Sequence, residues 1–167
     1  MKNGKSVLVS DIDGTIIYFS LPSSVHSWMS RHRACLVLFL PVLPLACFFY
    51  LLRPRKKSTK IRIRQHREDG GRVVIFSATE NMCLTRWIIR VWLKLWCVPY
   101  DRLVLRPHHM EINDFKLRIL REEKCDILFE NEPDIAFYLR DERERDGICH
   151  ISISYENRFF IVRFDDY

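Results

Sequence analysis

The sequence has no CxxC pair, no internal repeat and no low-complexity tail. The first absence argues against a zinc site, and the other two exclude a repeat array and a fibrous or disordered chain. Its six cysteines, Cys35, Cys47, Cys83, Cys97, Cys125 and Cys149, lie far apart and mostly within apolar runs. That pattern fits buried free thiols of a reducing compartment better than a disulfide framework. The opening MKNGKSVLVS passes directly into an apolar strand and lacks the long apolar core of a secretory signal, so a cytoplasmic setting is expected. Acidic residues are in the minority, 21 against 27 Lys and Arg, for a formal net charge of +6. The excess lies between Arg31 and Arg67 and again from Arg86 to Arg106. It favours a polyanionic neighbour such as phospholipid or nucleic acid, while the isolated arginines read as a solvated surface. With 48% apolar and 29% charged residues over 167 positions, the chain is expected to fold as one domain, 1–167, with no room for a second.

Four apolar runs read as strands: SVLVS at 6–10, GGRVVIFSAT at 70–79, RLVLRP at 102–107 and CDILFENEPD at 125–134. Helix-like stretches, Asn81 to Cys97 and Asn113 to Lys124, separate the later ones. Strands alternating with helices predict an α/β fold with a parallel sheet and right-handed crossovers. The polar strand ends at Asp11, Ser77 and Glu130 then meet at the carboxyl edge, where open α/β sheets bind ligands. A further helix is expected over 135–147, starting after Pro133 and Asp134 and stopping at Gly147. ICHISISYENRFFIVRFDDY reads as a hairpin of two alternating strands around Glu156 and Asn157, extending the sheet edge.

Residues 34–52, ACLVLFLPVLPLACFFYLL, carry no charge and are flanked by RHR at 31–33 and RPRKK at 53–57. This length approaches the roughly 20 residues that cross a bilayer core. A single crossing would divide strands that belong to one sheet. Pro41 and Pro44 instead suggest two short arms entering and leaving on one face, with the basic flanks at an anionic cytoplasmic surface. An apolar cap packed on the domain, or a contact between subunits, would use the same residues. Trp87, Trp92 and Trp96 mix helix faces and read as core rather than as an interfacial belt. His108 and His109 read as part of a solvated loop.

The run VLVSDIDGTI sets Asp11 and Asp13 on the same side of an extended backbone just where the first strand ends. Their charges repel unless a cation or a proton lies between them. DIDGT resembles the first motif, DxDGT, of the haloacid dehalogenase superfamily of phosphohydrolases. The remaining motifs follow in order: Ser77 ending the second strand, Lys116 in INDFKLRIL near a helix start, and Glu130 and Asp134 in ILFENEPD. The resemblance spans residues 5 to about 150 apart from the insertion.

That resemblance implies a Rossmann-like core, a parallel sheet with helices on both faces, a small apolar cap over 20–57 after the first motif, and a C-terminal hairpin. It implies Asp11 as nucleophile and Asp13 as general acid and base, with Gly14 permitting the turn. Thr15, Ser77 and Lys116 are expected to hold the loop and the phosphoryl oxygens. Asp11, Asp13, Glu130 and Asp134 are expected to hold or orient Mg²⁺, which needs few protein ligands because it keeps several waters. Asn131 departs from the commoner aspartate beside that acid.

The expected activity is therefore Mg²⁺-dependent hydrolysis of a phosphomonoester through an aspartyl-phosphate. An apolar run at the cap position, ringed by Arg53, Arg55, Lys56 and Lys57, points to a phosphorylated lipid at an anionic membrane surface, reached through residues 34–57; nucleic acid is not the expected partner. Two alternatives use the same residues: a soluble phosphatase of nucleotides, sugar phosphates or nucleic-acid ends, and a non-catalytic membrane-attached interaction protein on this fold.

Overall fold

The computed structural model describes residues 5–13, 15–16, 51–52, 55–145, 150–156 and 159–165. Gly14 and most of the 20–57 cap, including Pro41 and Pro44, lie outside them, as do Cys35, Cys47 and Cys149. Strand β1 (Val7–Asp11) is buried at all five positions, as a strand covered on both faces must be. It is followed by α1 (Lys57–Glu68), β2 (Arg72–Glu80), α2 (Cys83–Leu95), β3 (Arg102–Arg106), α3 (Ile112–Glu122), β4 (Ile127–Glu130), α4 (Pro133–Arg145), β5 (His150–Glu156) and β6 (Phe159–Asp165).

The six strands form one mixed sheet in the order β3-β2-β1-β4-β6-β5. The first four are mutually parallel, and β6 joins β4 antiparallel to bring in the C-terminal hairpin. Alternation along the strands feeds two cores. Leu8, Ile75 and Phe129 pack with Ile63 of α1 and with Ile89, Trp92 and Leu93 of α2. Val9, Val74 and Leu128 face the other way, toward Phe115, Ile119 and Leu120 of α3 and Ala136 and Leu139 of α4. The fold is thus α/β, with two helices on each face among the described residues, and β1 in the middle puts Asp11 at the centre of the carboxyl edge.

Several local details differ from the sequence-based expectation. Helix α4 starts at Pro133 rather than after Asp134, with Ala136 N–H donating to the Glu132 carbonyl. A proline fits the first helical position because its missing N–H would have no partner there. Cys125 is buried, but Cys83 and Cys97 are exposed, because both sit at ends of α2 rather than on its inner stripe. Trp92 is core and Trp96 is half-buried, whereas Trp87 stands in solvent.

Helices α1, α2 and α3 end in one closure. Gly71, Val98 and Cys125 donate to the carbonyls of His66, Leu93 and Leu120, and the preceding residue in each case is left-handed. That residue is Gly70 in α1 but Cys97 (φ 48°) in α2 and Lys124 (φ 51°) in α3, where a side chain crowds the backbone. Lys124→Gly is therefore expected to raise the unfolding free energy by about 0.5–1 kcal/mol, measured by urea denaturation.

Candidate active site

The centre of the carboxyl edge is built from three adjacent parallel strands and one helix. Asp11 ends β1, and the Ile12 N–H holds one of its carboxylate oxygens at 2.8 Å. Glu130 ends β4, the neighbour of β1 on the other side from β2. Its Oε1 accepts the N–H groups of Asn131 at 3.0 Å and Glu132 at 3.3 Å. Lys116 comes from α3, which the Glu111 side chain caps by accepting the Asn113 N–H at 2.6 Å. The inward face of α3 carries Phe115, Lys116, Ile119 and Leu120 into the fold, so the ammonium reaches the sheet edge from inside. Its Nζ lies 2.7 Å from Glu130 Oε2 and 3.4 Å from Asp11 Oδ2, and 5.5 Å from the centre of the Phe76 ring.

All three charged groups are buried. Burial pushes the Asp11 carboxyl up to about 6, the Lys116 ammonium opposes that shift, and the negative charge of Asp13 adds to it. Burial would pull the Lys116 ammonium down, but Asp11 and Glu130 outweigh it and hold Lys116 above the ordinary lysine range. Glu130 is also raised, by burial and by Asp11, against the pull of Lys116. One ammonium is thus shared by two buried carboxylates. Asp11 is the less compensated of the two by geometry, with the longer distance to Nζ and a single N–H donor.

The second half of the site surrounds Asp13, which is half-buried. The Ser77 hydroxyl lies 3.5 Å from Asp13 Oδ2 and 2.9 Å from the Thr79 hydroxyl, and the Thr79 N–H donates to Ser77 Oγ at 3.2 Å. These contacts arise because β2 slips against β3 after Ser77: Ser77 pairs with Leu105 but Glu80 pairs with Arg106, leaving Ala78 and Thr79 without counterparts. The Thr15 hydroxyl donates to the Asn131 side-chain oxygen at 3.2 Å, tying the turn after β1 to the end of β4. The structure therefore brings Asp11, Asp13, Ser77, Lys116 and Glu130 together, with Thr15 beside them. Asp134 is different. It stands exposed on the first turn of α4, and no hydrogen bond or ion pair joins it to the others.

Two features escaped the sequence. Asn131, noted there only as a departure from an aspartate, faces the Thr15 turn. His108 is exposed in the loop as expected, and from there it places Nδ1 3.2 Å from Glu80, whose other oxygen lies 3.9 Å from Arg106. Arg106 also donates to the carbonyls of Ala78 and Met110, pinning the 107–110 loop to the end of β2. Nothing in the local sequence marks a pairing that depends on the slip in β2.

Among the described residues no three His, Cys, Asp or Glu side chains converge as a metal centre. The chemistry of the oxygen donors is nonetheless suited to a hard cation. Asp11, Asp13 and the Asn131 amide lie at one edge, while Glu130 already gives its oxygens to Lys116 and two N–H groups. Against known proteins, no family model matches the sequence and no curated protein does. A chain of a solved structure described as "Structure of Pnkp1/Rnl/Hen1 complex" matches with a TM-score of 0.51 and 16% identity over 74% of this chain. This chain spans 36% of that one, and the likeness is one of fold.

The Asp11 shift sets a stability prediction. Between the ordinary value of 3.8 and about 6 the folded chain holds more protons than the unfolded one, so stability falls as pH rises through that window. Asp11→Asn removes the ionisation, so in the metal-free protein it is expected to be more stable than the parent at pH 7.5, by about 3 kcal/mol at most. The difference should close as pH falls to about 4. Urea unfolding of both proteins at several pH values measures it.

Proposed function

We propose that this chain is a Mg²⁺-dependent phosphomonoester hydrolase of the haloacid dehalogenase type, with Asp11 as its nucleophile. The observation that carries this reading is the buried Lys116 held between Asp11 and Glu130 at the carboxyl edge, with Asp13 and Ser77 3.5 Å apart beside it. A carboxylate steadied by an ammonium, next to a more accessible second carboxylate, separates a nucleophile from an acid.

In the reaction Asp11 forms an oxygen–phosphorus bond as the bond to the leaving alcohol breaks, and protonated Asp13 gives its proton to that alcohol. Asp13, now ionised, takes a proton from a water that attacks phosphorus. The acyl-phosphate bond breaks, and the Asp11 carboxylate and inorganic phosphate are released. Ser77 and Lys116 hold the phosphoryl oxygens, and Thr15 steadies the turn through Asn131. Asp11 and the Asp13 main-chain carbonyl would hold Mg²⁺, with the Asn131 amide oxygen as a third donor in place of Glu130. When bound, the ion supplies positive charge against the phosphoryl oxygens.

The proposed substrate class is a phosphorylated lipid or similar membrane-bound phosphomonoester, met at a cytoplasmic membrane surface. The position of the apolar run supports this half. The Lys56 N–H donates to the Ile16 carbonyl at 2.7 Å and the Thr59 hydroxyl to the Thr15 carbonyl at 2.9 Å, so the insertion leaves and returns beside the site. Among the described residues no helix is long and apolar enough to cross a membrane.

Phosphate release is expected to need Mg²⁺, to stop with chelator and to fall by more than about 10³-fold in Asp11→Asn. Activity surviving that substitution would overturn the nucleophile. A substrate panel with lipid phosphates in vesicles is expected to favour them over soluble phosphomonoesters. Fast turnover of soluble phosphates without lipid would replace the membrane half with a soluble phosphatase. Failure to trap fluoroberyllate at Asp11 would leave a non-catalytic interaction protein.

A further inference from the structure

The outer surface of the α1/α2 layer combines two features that the proposed chemistry does not use. Charge is distributed unequally between the faces of the sheet. Helix α1 sets five cations against Glu68 and α2 carries three with no acid, whereas α3 and α4 together hold six of each sign. Between α1 and α2 lies an open groove of about 680 Å³ whose lining includes Arg64, Arg67, Arg90 and Lys94, with Tyr100, against one acid, Glu68. Arg67 pairs with Asp101 at 3.0 Å, but Arg64, Arg90 and Lys94 make no ion pair among the described residues.

The second feature is apolar. Leu84, Trp87, Val91 and Leu95 recur at three- and four-residue spacing, which places them on one stripe of α2. The inner stripe is a different one, Ile89, Trp92 and Leu93. Leu84 is 43% exposed, and Trp87 and Leu95 are each 57% exposed. A helix needs one apolar stripe to pack on a sheet, so the second has no use within the described fold. At the far end of α2, Trp96 Nε1 donates to the Leu51 carbonyl at 3.2 Å, so the end of the apolar run 34–52 meets the same helix, with Leu52 exposed beside it.

We infer that this outer face, the apolar stripe of α2 together with the basic groove beside it, is a docking surface for an anionic lipid bilayer. A tryptophan and leucines on one stripe, flanked by unpaired Arg and Lys, is the composition of a helix lying in the membrane interface. The charge complements anionic headgroups, and the exposed partners of the cations are large apolar groups, not the hydrogen-bonding side chains that read bases. Met82 and Leu84 follow directly on the carboxyl end of β2, whereas the groove lies toward the opposite edge, before the start of β3 at Arg102, so docking would lay the α1/α2 face along the bilayer with the Asp11 edge to one side. The surface adds a second contact to the membrane half of the proposed function and rests on that half alone, independent of the hydrolysis.

The test uses the full chain and co-sedimentation with phosphatidylcholine vesicles with and without phosphatidylserine. Leu84→Ser with Trp87→Ser is expected to weaken binding to both by more than about tenfold. Arg90→Glu with Lys94→Glu is expected to remove the phosphatidylserine-dependent part, which in the parent should fade with added salt. Brominated acyl chains should quench tryptophan emission, and part of that quenching should vanish in Trp87→Phe. Retained hydrolysis of a soluble phosphomonoester, or unchanged circular dichroism, shows that the variants fold. Asp11→Asn should bind vesicles like the parent, so docking and catalysis can fail separately. Unchanged vesicle binding in both double variants would overturn the inference. So would conversion of an oligomer to monomer by the serine substitutions with vesicle binding intact, which would make the stripe a subunit contact. Loss of oligonucleotide binding alone in the charge reversals would make the groove a nucleic-acid site instead.

Discussion

The Lys116 ammonium is the constraint on which the carboxyl edge depends. A buried ammonium is tolerated only where opposite charge surrounds it, and here two carboxylates from different strands do so. That arrangement needs β1 and β4 to be neighbours in register: Ser10 lies opposite Phe129, so Asp11 and Glu130 emerge together at the strand ends. It also needs α3 on the face where Phe76 and Phe115 pack edge to face, which fixes the helix that carries Lys116. Sheet order, register and helix packing therefore converge on one side chain. Removing the lysine would leave two uncompensated carboxylates in the core, a larger fault than removing either acid.

The electrostatics also leave carboxylates in excess of positive charge at this edge. Asp11, Asp13 and Glu130 outnumber Lys116, and burial raises both Asp11, to about 6, and Glu130. A fold under selection for stability alone would replace such a group with an amide or an apolar side chain. Keeping it is consistent with a site completed by something positive or proton-bearing. Glu130 contributes differently. With one oxygen on Lys116 and the other on two N–H groups it is saturated, and it orients the lysine more readily than it could reach a further ligand.

Much of this was legible in the sequence because each charged or hydroxyl residue closes an element whose periodicity is plain. A buried β1 ending in Asp11, a second apolar run closing on Ser77, which β2 carries on to Glu80, and an amphipathic α3 carrying Lys116 needed no tertiary knowledge to be ordered along one edge. What escaped depends on contacts between distant segments or on backbone departures without a sequence signature. Glu130 is placed at the same edge by the sequence, but its pairing with Lys116 appears only once β4 is beside β1 and α3 is packed over them. The slip that sets Thr79 beside Ser77 has no glycine to mark it. The left-handed helix ends at Cys97 and Lys124 lack the glycine that announces the same closure at Gly70. Asp134 is exposed on the first turn of a helix that starts at Pro133, two residues earlier than the proline and aspartate suggested.

The joint between Ile16 and Lys56 explains how so apolar an insertion coexists with an ordinary α/β core. The chain that leaves at Ile16 returns at Lys56 through a main-chain hydrogen bond, and Thr59 secures the carbonyl of Thr15. With its ends already clamped, the stretch between them adds little further entropy cost as it lengthens, because closure entropy grows only logarithmically with length. Its composition can therefore change with small effect on the sheet and on Asp11, Lys116 and Glu130. The clamp uses the same turn that carries Thr15 to Asn131. Whatever acts on the insertion thus acts first on the residues bordering Asp13, so a surface that engages residues 34–52 and α2 would bear directly on the mouth of the site.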